Sequence, residues 1–271
     1  MKQSFHLKDV TGLWQKNNIF PYFFEIYKIA HIIFINNSLA DIKCLEIRLD
    51  DSYVEEFKIK YVEEFSDDCV KIRLENENDY LEVENLVRNS FWNVYRPGAY
   101  EHFIVHNLRN DESFIRKLAF VIEKDGLIIG QINYSKGKIH GENGNVSEAI
   151  ILGPVSIDEN YQNMGYGTKL IEYTLDIAEK DAIPYVFVVG DENYYGRFGF
   201  ESASKYNIFL EGTDTDEECP FFMIKIFDKD KTTFEKSIFT NPDVFNVDEM
   251  DVDEFDRQFE YKEKKVLDGQ L

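Results

Sequence analysis

From Val70 onward, apolar and polar residues fall into readable periods. Val70, Ile72 and Leu74 alternate with Lys71 and Arg73, which predicts a strand. Asn76 or Asn78 offers a helix cap, and Tyr80, Val83, Leu86, Val87 and Phe91 follow at helical spacing. Arg96-Pro97-Gly98 breaks the chain before a second short helix over Tyr100–Leu108. Lys117–Glu123 and Leu127–Tyr134 read as strands joined at Asp125-Gly126, a hairpin dipeptide. A polar turn fits Gly137–Asn145. Val146–Ile157 is a long apolar strand interrupted by Gly153-Pro154, a pair that marks a bulge or an edge. A helix follows with Leu170, Ile171, Leu175 and Ala178 on its buried side, then a buried strand over Tyr185–Val189. Asn193–Phe198 reads as a helical turn closed by Gly199-Phe200, and two more strands fit Asn207–Leu210 and Phe221–Phe227.

The flanks are less regular. Leu45, Ile47 and Leu49 alternate as a short strand. Tyr53, Phe57, Tyr61 and Phe65 suit one helix face, while Phe57, Ile59 and Tyr61 suit a strand equally well. The most hydrophobic stretch, Ile19–Ile35, carries Pro21, Glu25, Lys28 and His31, which favours a buried segment over a membrane span. Beyond Asp228 the chain is acidic and turn-rich, with apolar anchors at Phe234, Phe239, Val244, Phe245, Phe255 and Phe259. The expected organisation is an N-terminal extension over 1–69, an α/β domain over 70–227 and an acidic segment over 228–271 packed on that domain.

Charge narrows the function classes. The sequence carries 30 Lys plus Arg against 51 Asp plus Glu, a net charge of −21. That field repels phosphate backbones and anionic lipid, so neither nucleic acid nor a membrane surface is an expected partner; cations, including amines, are attracted. Three scattered cysteines (Cys44, Cys69, Cys219) suit a reducing, cytoplasmic setting. Histidines and cysteines show no metal-ligand spacing; His102 and His106 lack a third ligand, so no metal is expected.

Candidate chemistry begins at Leu152-Gly153-Pro154-Val155-Ser156-Ile157 and runs through Gln162-Asn163-Met164-Gly165-Tyr166-Gly167-Thr168. A strand leads through a loop into a glycine-bearing helix start. The first turn of a helix presents free N–H groups and the positive end of its dipole, and glycine lets a phosphate approach the backbone. Two phosphate loops fail: a dinucleotide fingerprint needs a third glycine where Leu170 stands, and a P-loop needs Gly-Lys-Ser/Thr where Gly167-Thr168-Lys169 stands. Gly-x-Gly alone fits an ordinary turn as well.

The neighbouring residues add to this. Gln162–Gly167 resembles the Gln/Arg-x-x-Gly-x-Gly/Ala segment of the GNAT superfamily of acyl-CoA N-acyltransferases. Asp191–Phe200, with Tyr195 four residues before Gly199-Phe200, resembles that superfamily's second signature. Leu152–Val155, Gly190–Phe200 and Phe91–Gly98 with Glu101-His102 are similar to one bacterial branch of N-acetyltransferases. The resemblance spans about Val70–Phe227 and, more loosely, the tail, and does not reach residues 1–69. It implies a mixed, mostly antiparallel α/β sheet with a splayed strand pair, flanked by helices. It implies acetyl-CoA as donor, its pyrophosphate on the amides of Asn163–Thr168 near Gln162 and Asn193, and its pantetheine arm along Val155, Ser156 and Ile157. The acceptor it implies is a primary amine of a small molecule or peptide, acetylated by direct attack.

A lysine-like amine, with a pKa near 10.4, is mostly protonated at neutral pH and needs a base. Glu148 is the first candidate, with Glu101 and His102 as alternatives. Tyr195 is the candidate acid for the departing thiolate, and Tyr194 its substitute if the register is off by one. Trp92, Tyr95, Tyr100, Glu101 and His102 are the expected acceptor-side residues, aromatic rings suiting a cationic amine. A homodimer is compatible with the sequence. So is a non-catalytic acyl-CoA sensor or interaction protein.

Overall fold

A computed structural model describes residues 4–8, 30–34, 44–49, 70–228 and 234–270. The chain divides into two compact units, Met1–Lys71 with Lys124–Leu127, and Ile72–Glu123 with Ile128–Leu271. In the first, β1 (Ser4–Lys8), β2 (Ala30–Phe34) and β3 (Cys44–Leu49) form an antiparallel sheet with β3 in the centre. The strand expected at Leu45–Leu49 is its middle strand. The aromatic repeat over 53–65 and most of the 19–35 stretch lie outside the described residues.

The second unit is built on nine strands: β4 (Val70–Leu74), β5 (Phe120–Lys124), β6 (Leu127–Gly141), β7 (Val146–Ile157), β8 (Tyr185–Val189), β9 (Glu201–Ser202), β10 (Ile208–Leu210), β11 (Phe222–Ile226) and β12 (Ser237–Thr240). Their order is β10-β12-β6-β7-β8-β11-β9, with β5 also on β6 and β4 on β5. Only β7–β8 and β10–β12 are parallel among the registered pairs of this sheet. The helices are α1 (Tyr80–Phe91), α2 (Glu101–Leu108), α3 (Tyr166–Lys180), α4 (Glu192–Tyr195) and α5 (Glu249–Asp256).

Alternation along β5 assigns the helices to faces. Val121 joins Val83, Leu86 and Val87 of α1 and Val105 of α2 in one apolar cluster, while its neighbour Phe120 meets Tyr173 of α3 edge-on. So α1 and α2 cover one face and α3 the other. Helix α3 buries Leu170, Ile171, Leu175 and Ala178, the stripe its spacing predicts, together with Thr174, which bonds the buried Tyr134 hydroxyl at 2.8 Å. Phe187, Phe222 and Phe239 stack at the other end of the sheet with centroids 4.9–5.3 Å apart.

Two features depart from the sequence expectation. The turn expected over Gly137–Asn145 is mostly strand: β6 runs to Gly141, because Phe239 of β12 packs where a Gly137 side chain would stand. The segment beyond 227 also does more than cover the domain. Its strand β12 lies inside the sheet between β10 and β6. Farther on, Asp256 of α5 takes two hydrogen bonds from buried Arg88 at 2.5 and 2.9 Å. Among the described residues no helix is long and apolar enough to cross a membrane.

Candidate active site

Strand β7 makes a fork. Register with β6 shifts between Ile132 and Tyr134, which face Val155 and Leu152, so Gly153 and Pro154 together oppose Asn133: a β-bulge. The Gly153–Pro154 peptide is cis and Gly153 has φ +134°. Pairing with β8 covers Ile150–Leu152 against Val186–Val188 and stops there. Past it, β7 stays on β6 through Ile157 while β8 stays on β11 through Val189. The edge of Val155, Ser156 and Ile157 toward β8 is therefore open.

Beyond Ile157 the chain turns through a loop into α3. Gln162 Nε2 reaches back 3.0 Å to the Ile157 carbonyl, fixing the loop, and Asn163 and Gly165 take left-handed φ of +60° and +83°. Gly165 is the N-cap of α3 and supplies no capping side chain, so the first-turn amides of Tyr166, Gly167 and Thr168 point outward. A Cβ on Gly165 would meet nothing within 4 Å; one on Gly167 would lie 2.8 Å from the Tyr194 hydroxyl and 3.5 Å from Ile157. Gly167 thus sits between the two arms of the fork, and Tyr194 packs where only glycine fits. Met164 is 60% exposed on the same turn.

Helix α4 supplies the second wall. Asp191 caps it through the Asn193 amide at 2.9 Å and also holds the Asn193 side chain, so this asparagine is turned to its own cap. Tyr195 is buried, packed on Gly190, Tyr194, Phe198 and Phe200. Its hydroxyl has no hydrogen-bond partner among the described residues. Burial, then the nearby Tyr194 and Tyr95, push its pKa well above that of an ordinary phenol.

The acceptor-side residues separate into two groups. Tyr95 is 46% exposed, and burial with the charges of Glu101 and Asp191 raises its pKa. Glu101 heads α2 with Oε2 accepting the Tyr100 N–H at 2.9 Å. Desolvation raises the Glu101 pKa, against the backbone N–H groups and Arg96, which lower it. Tyr100 lies beneath the Arg96 guanidinium at 4.2 Å. The Glu101 charge thus contributes to raising the Tyr95 pKa, and Tyr95 to raising that of Tyr195.

Trp92 and His102 face elsewhere. Trp92 donates to the Glu263 carbonyl at 3.0 Å and stacks under Arg88 at 4.2 Å. His102, expected on the acceptor side, is 0% exposed among Phe255, Phe259 and Asp256, whose Oδ1 is 3.2 Å from Nε2 but out of hydrogen-bond alignment. An enclosed ring cannot line an open pocket, so His102 is corrected to a packing residue. Glu148 stands apart as well: it is 70% exposed, faces Lys138 across the β6–β7 pair and lies 3.3 Å from Lys136 Nζ.

Sequence reasoning passed over the polar floor beside the bulge. Gln131, Asn133, Ser135 and Ser156 are all buried. Gln131 Nε2 donates to the Pro154 carbonyl and Ser156 Oγ at 3.2 and 3.3 Å, and its oxygen accepts from Asn133 at 3.0 Å. The available signal was polar residues alternating within an apolar strand.

Burial pushes the His102 pKa down to about 4, with Asp256 raising it and Arg88 lowering it. Unfolded, the ring would titrate near 6.5. A depressed basic pKa means the unfolded chain binds the proton first, so stability is full above about pH 6.5 and falls as pH drops toward about 4. The expected loss is roughly 3 kcal/mol. Denaturant melts at pH 7 and pH 4.5 measure it, and His102→Phe should flatten that slope.

Residues 80–200 match the model of the Acetyltransferase (GNAT) family. The uncharacterized N-acetyltransferase YhbS of Escherichia coli (strain K12) is 28% identical over 137 residues, 51% of this chain and 77% of that protein. The uncharacterized N-acetyltransferase YjhQ of the same strain is 32% identical over 101 residues, 37% of this chain and 55% of its own. Among solved structures, a Brucella melitensis GNAT acetyltransferase in complex with acetyl-CoA superposes with TM-score 0.53 at 25% identity, over 66% of this chain and 99% of that one. Crystalline YhbS from Escherichia coli in complex with CoA gives TM-score 0.55 at 24% identity, over 66% and 92%. The forked, mostly antiparallel sheet and the uncapped glycine turn are thus set in the GNAT fold, and residues 80–200 of this chain are similar to the acetyltransferase (GNAT) family.

Proposed function

We propose that this domain transfers an acetyl group from acetyl-CoA to a primary amine by direct attack. One observation carries the reading: the open edge of Val155–Ile157 leads directly to a helix start whose amides have no protein cap. The main chain of Asn163–Thr168 would hold the pyrophosphate, and the Val155–Ile157 edge would pair with the pantetheine arm as an added strand. The open space at Gly165 and the side-chain-free Gly167 fit such a group. Bound acetyl-CoA would supply an activated thioester carbonyl. A Val155-region N–H would stabilise negative charge developing on its oxygen.

Glu101 suits the base better than Glu148. Desolvation raises its pKa toward working pH, whereas Glu148 is solvated and paired with Lys136. Glu101 would take the amine proton, directly or through water, and Tyr195 would give one to the departing sulfur. Glu101→Gln should lower kcat/KM by about 100-fold with acetyl-CoA affinity retained, whereas Glu148→Gln should stay within about twofold. The acid limb of the wild-type pH profile should lie above the usual carboxylate range, since the base must be ionised. Calorimetry against acetyl-CoA, ATP and NAD, then single turnover with an amine panel, tests the whole reading. Binding of ATP alone would refute it, and CoA release at the buffer rate would leave an acyl-CoA binder.

A further inference from the structure

Three of the described arginines hold carboxylates, whereas Arg96, Arg116, Arg197 and Arg257 have no ion pair among the described residues. Arg73 pairs with Asp79 and Glu123, Arg88 with Asp256, and Arg109 with Glu75 and Glu84. Arg96, on the loop between α1 and α2, has no ion pair and no hydrogen bond among the described residues, and its Nε is buried without a partner. Stacking on Tyr100 at 4.2 Å holds its plane. Because Nε is enclosed, a partner from outside the chain would meet the terminal guanidinium nitrogens, which are not among the buried unpartnered atoms. A stacked guanidinium is also a prepared fork for a planar, two-oxygen anion.

The position of this cation gives it meaning. Arg96 is near enough to act electrostatically on Glu101 but is not in ion-pair contact with it. Tyr95 precedes Arg96 in sequence and interacts electrostatically with Glu101 and Tyr195. Arg96 stacks on the Tyr100 ring while Glu101 Oε2 accepts the Tyr100 N–H at 2.9 Å, so a positive fork and a carboxylate both flank Tyr100. Together they complement a molecule that carries an amine and an anion a short distance apart.

We infer that Arg96 binds a carboxylate on the acceptor, so that the acetylated amine belongs to an amino-acid-like zwitterion. The inference rests on the acetyl-transfer reading above. The Glu101 side receives the amine and the Arg96 fork receives the carboxylate. A polyamine offers the fork nothing and leaves it unpaired.

The test compares L-alanine and L-lysine with L-alaninamide and L-lysinamide, and adds spermidine. Binding is read by calorimetry on the CoA-saturated full-length protein, and acetylation by single turnover. Each acid should bind and react about tenfold or more better than its amide, the value of one charged bidentate contact. Arg96→Met, which removes the charge and the fork, should bring that ratio to about one, with acetyl-CoA affinity within about twofold; a small drop in Tm from the lost stacking on Tyr100 is expected and does not bear on the ratio. Arg96→Lys should keep only part of the preference, having charge without the fork. Amides or spermidine bound as well as the acids, a preference that survives Arg96→Met, or no binding by any acid would each overturn the inference. Acids bound through Arg96 without any turnover would instead reject acetyl transfer and leave the carboxylate site standing.

Discussion

Gly165→Glu is expected to weaken acetyl-CoA binding by about 100-fold or more, the largest single effect at the cofactor turn. The space in front of a Gly165 Cβ is empty, so the new side chain would emerge before the amides of Tyr166, Gly167 and Thr168. A carboxylate there caps those amides itself and repels the pyrophosphate. The φ of +83° adds a backbone cost of about 1–2 kcal/mol for an ordinary L residue. Gly165→Asn separates the two causes, since asparagine tolerates the left-handed region and brings no charge. Its loss should stay near tenfold. Calorimetry at fixed salt measures both variants, and unchanged affinity in a folded Glu variant would remove this turn from cofactor binding.

Tyr195→Phe should lower kcat by about 100-fold while acetyl-CoA affinity stays within about twofold. The ring contacts with Gly190, Phe198 and Phe200 survive the change, and the hydroxyl gives up no protein hydrogen bond, so folding should be unaffected. The raised pKa carries its own signature: an acid must be protonated to act, so turnover should persist past the pH at which a free phenol ionises. Rapid-mixing measurements at saturating acetyl-CoA test both points. A Phe variant that turns over normally excludes the acid role, and a loss confined to Tyr194→Phe would transfer it to that neighbour, whose hydroxyl rests on Gly167.

Much of the frame is written in local pattern. The α3 stripe, the Asp125-Gly126 turn with its positive φ pair, and the break at Gly153-Pro154 each follow from a period or a backbone constraint that needs no distant partner. The glycine turn is legible for the same reason: an uncapped helix start is made by a few consecutive residues. Side-chain environment is different, because neighbours far along the chain decide it. Glu101 and Glu148 are both glutamates beside apolar residues in the sequence, yet one is desolvated and the other lies in solvent beside Lys136. His102 resembles a pocket residue until α5 arrives with Phe255 and Asp256 to enclose it.

The sequence by itself determined most strands and helices between Val70 and Phe227, the bulged strand and the glycine-bearing helix start, since these depend on short-range periodicity and on where glycine alone is tolerated. Tertiary structure decided that Ser237–Thr240 enters the sheet and carries β6 past Gly137. It also left Arg96 Nε without a partner among the described residues and gave Glu101 and Tyr195 their raised pKa values. The physical reason is desolvation: it depends on everything packed around a group, and most of that lies far away in sequence.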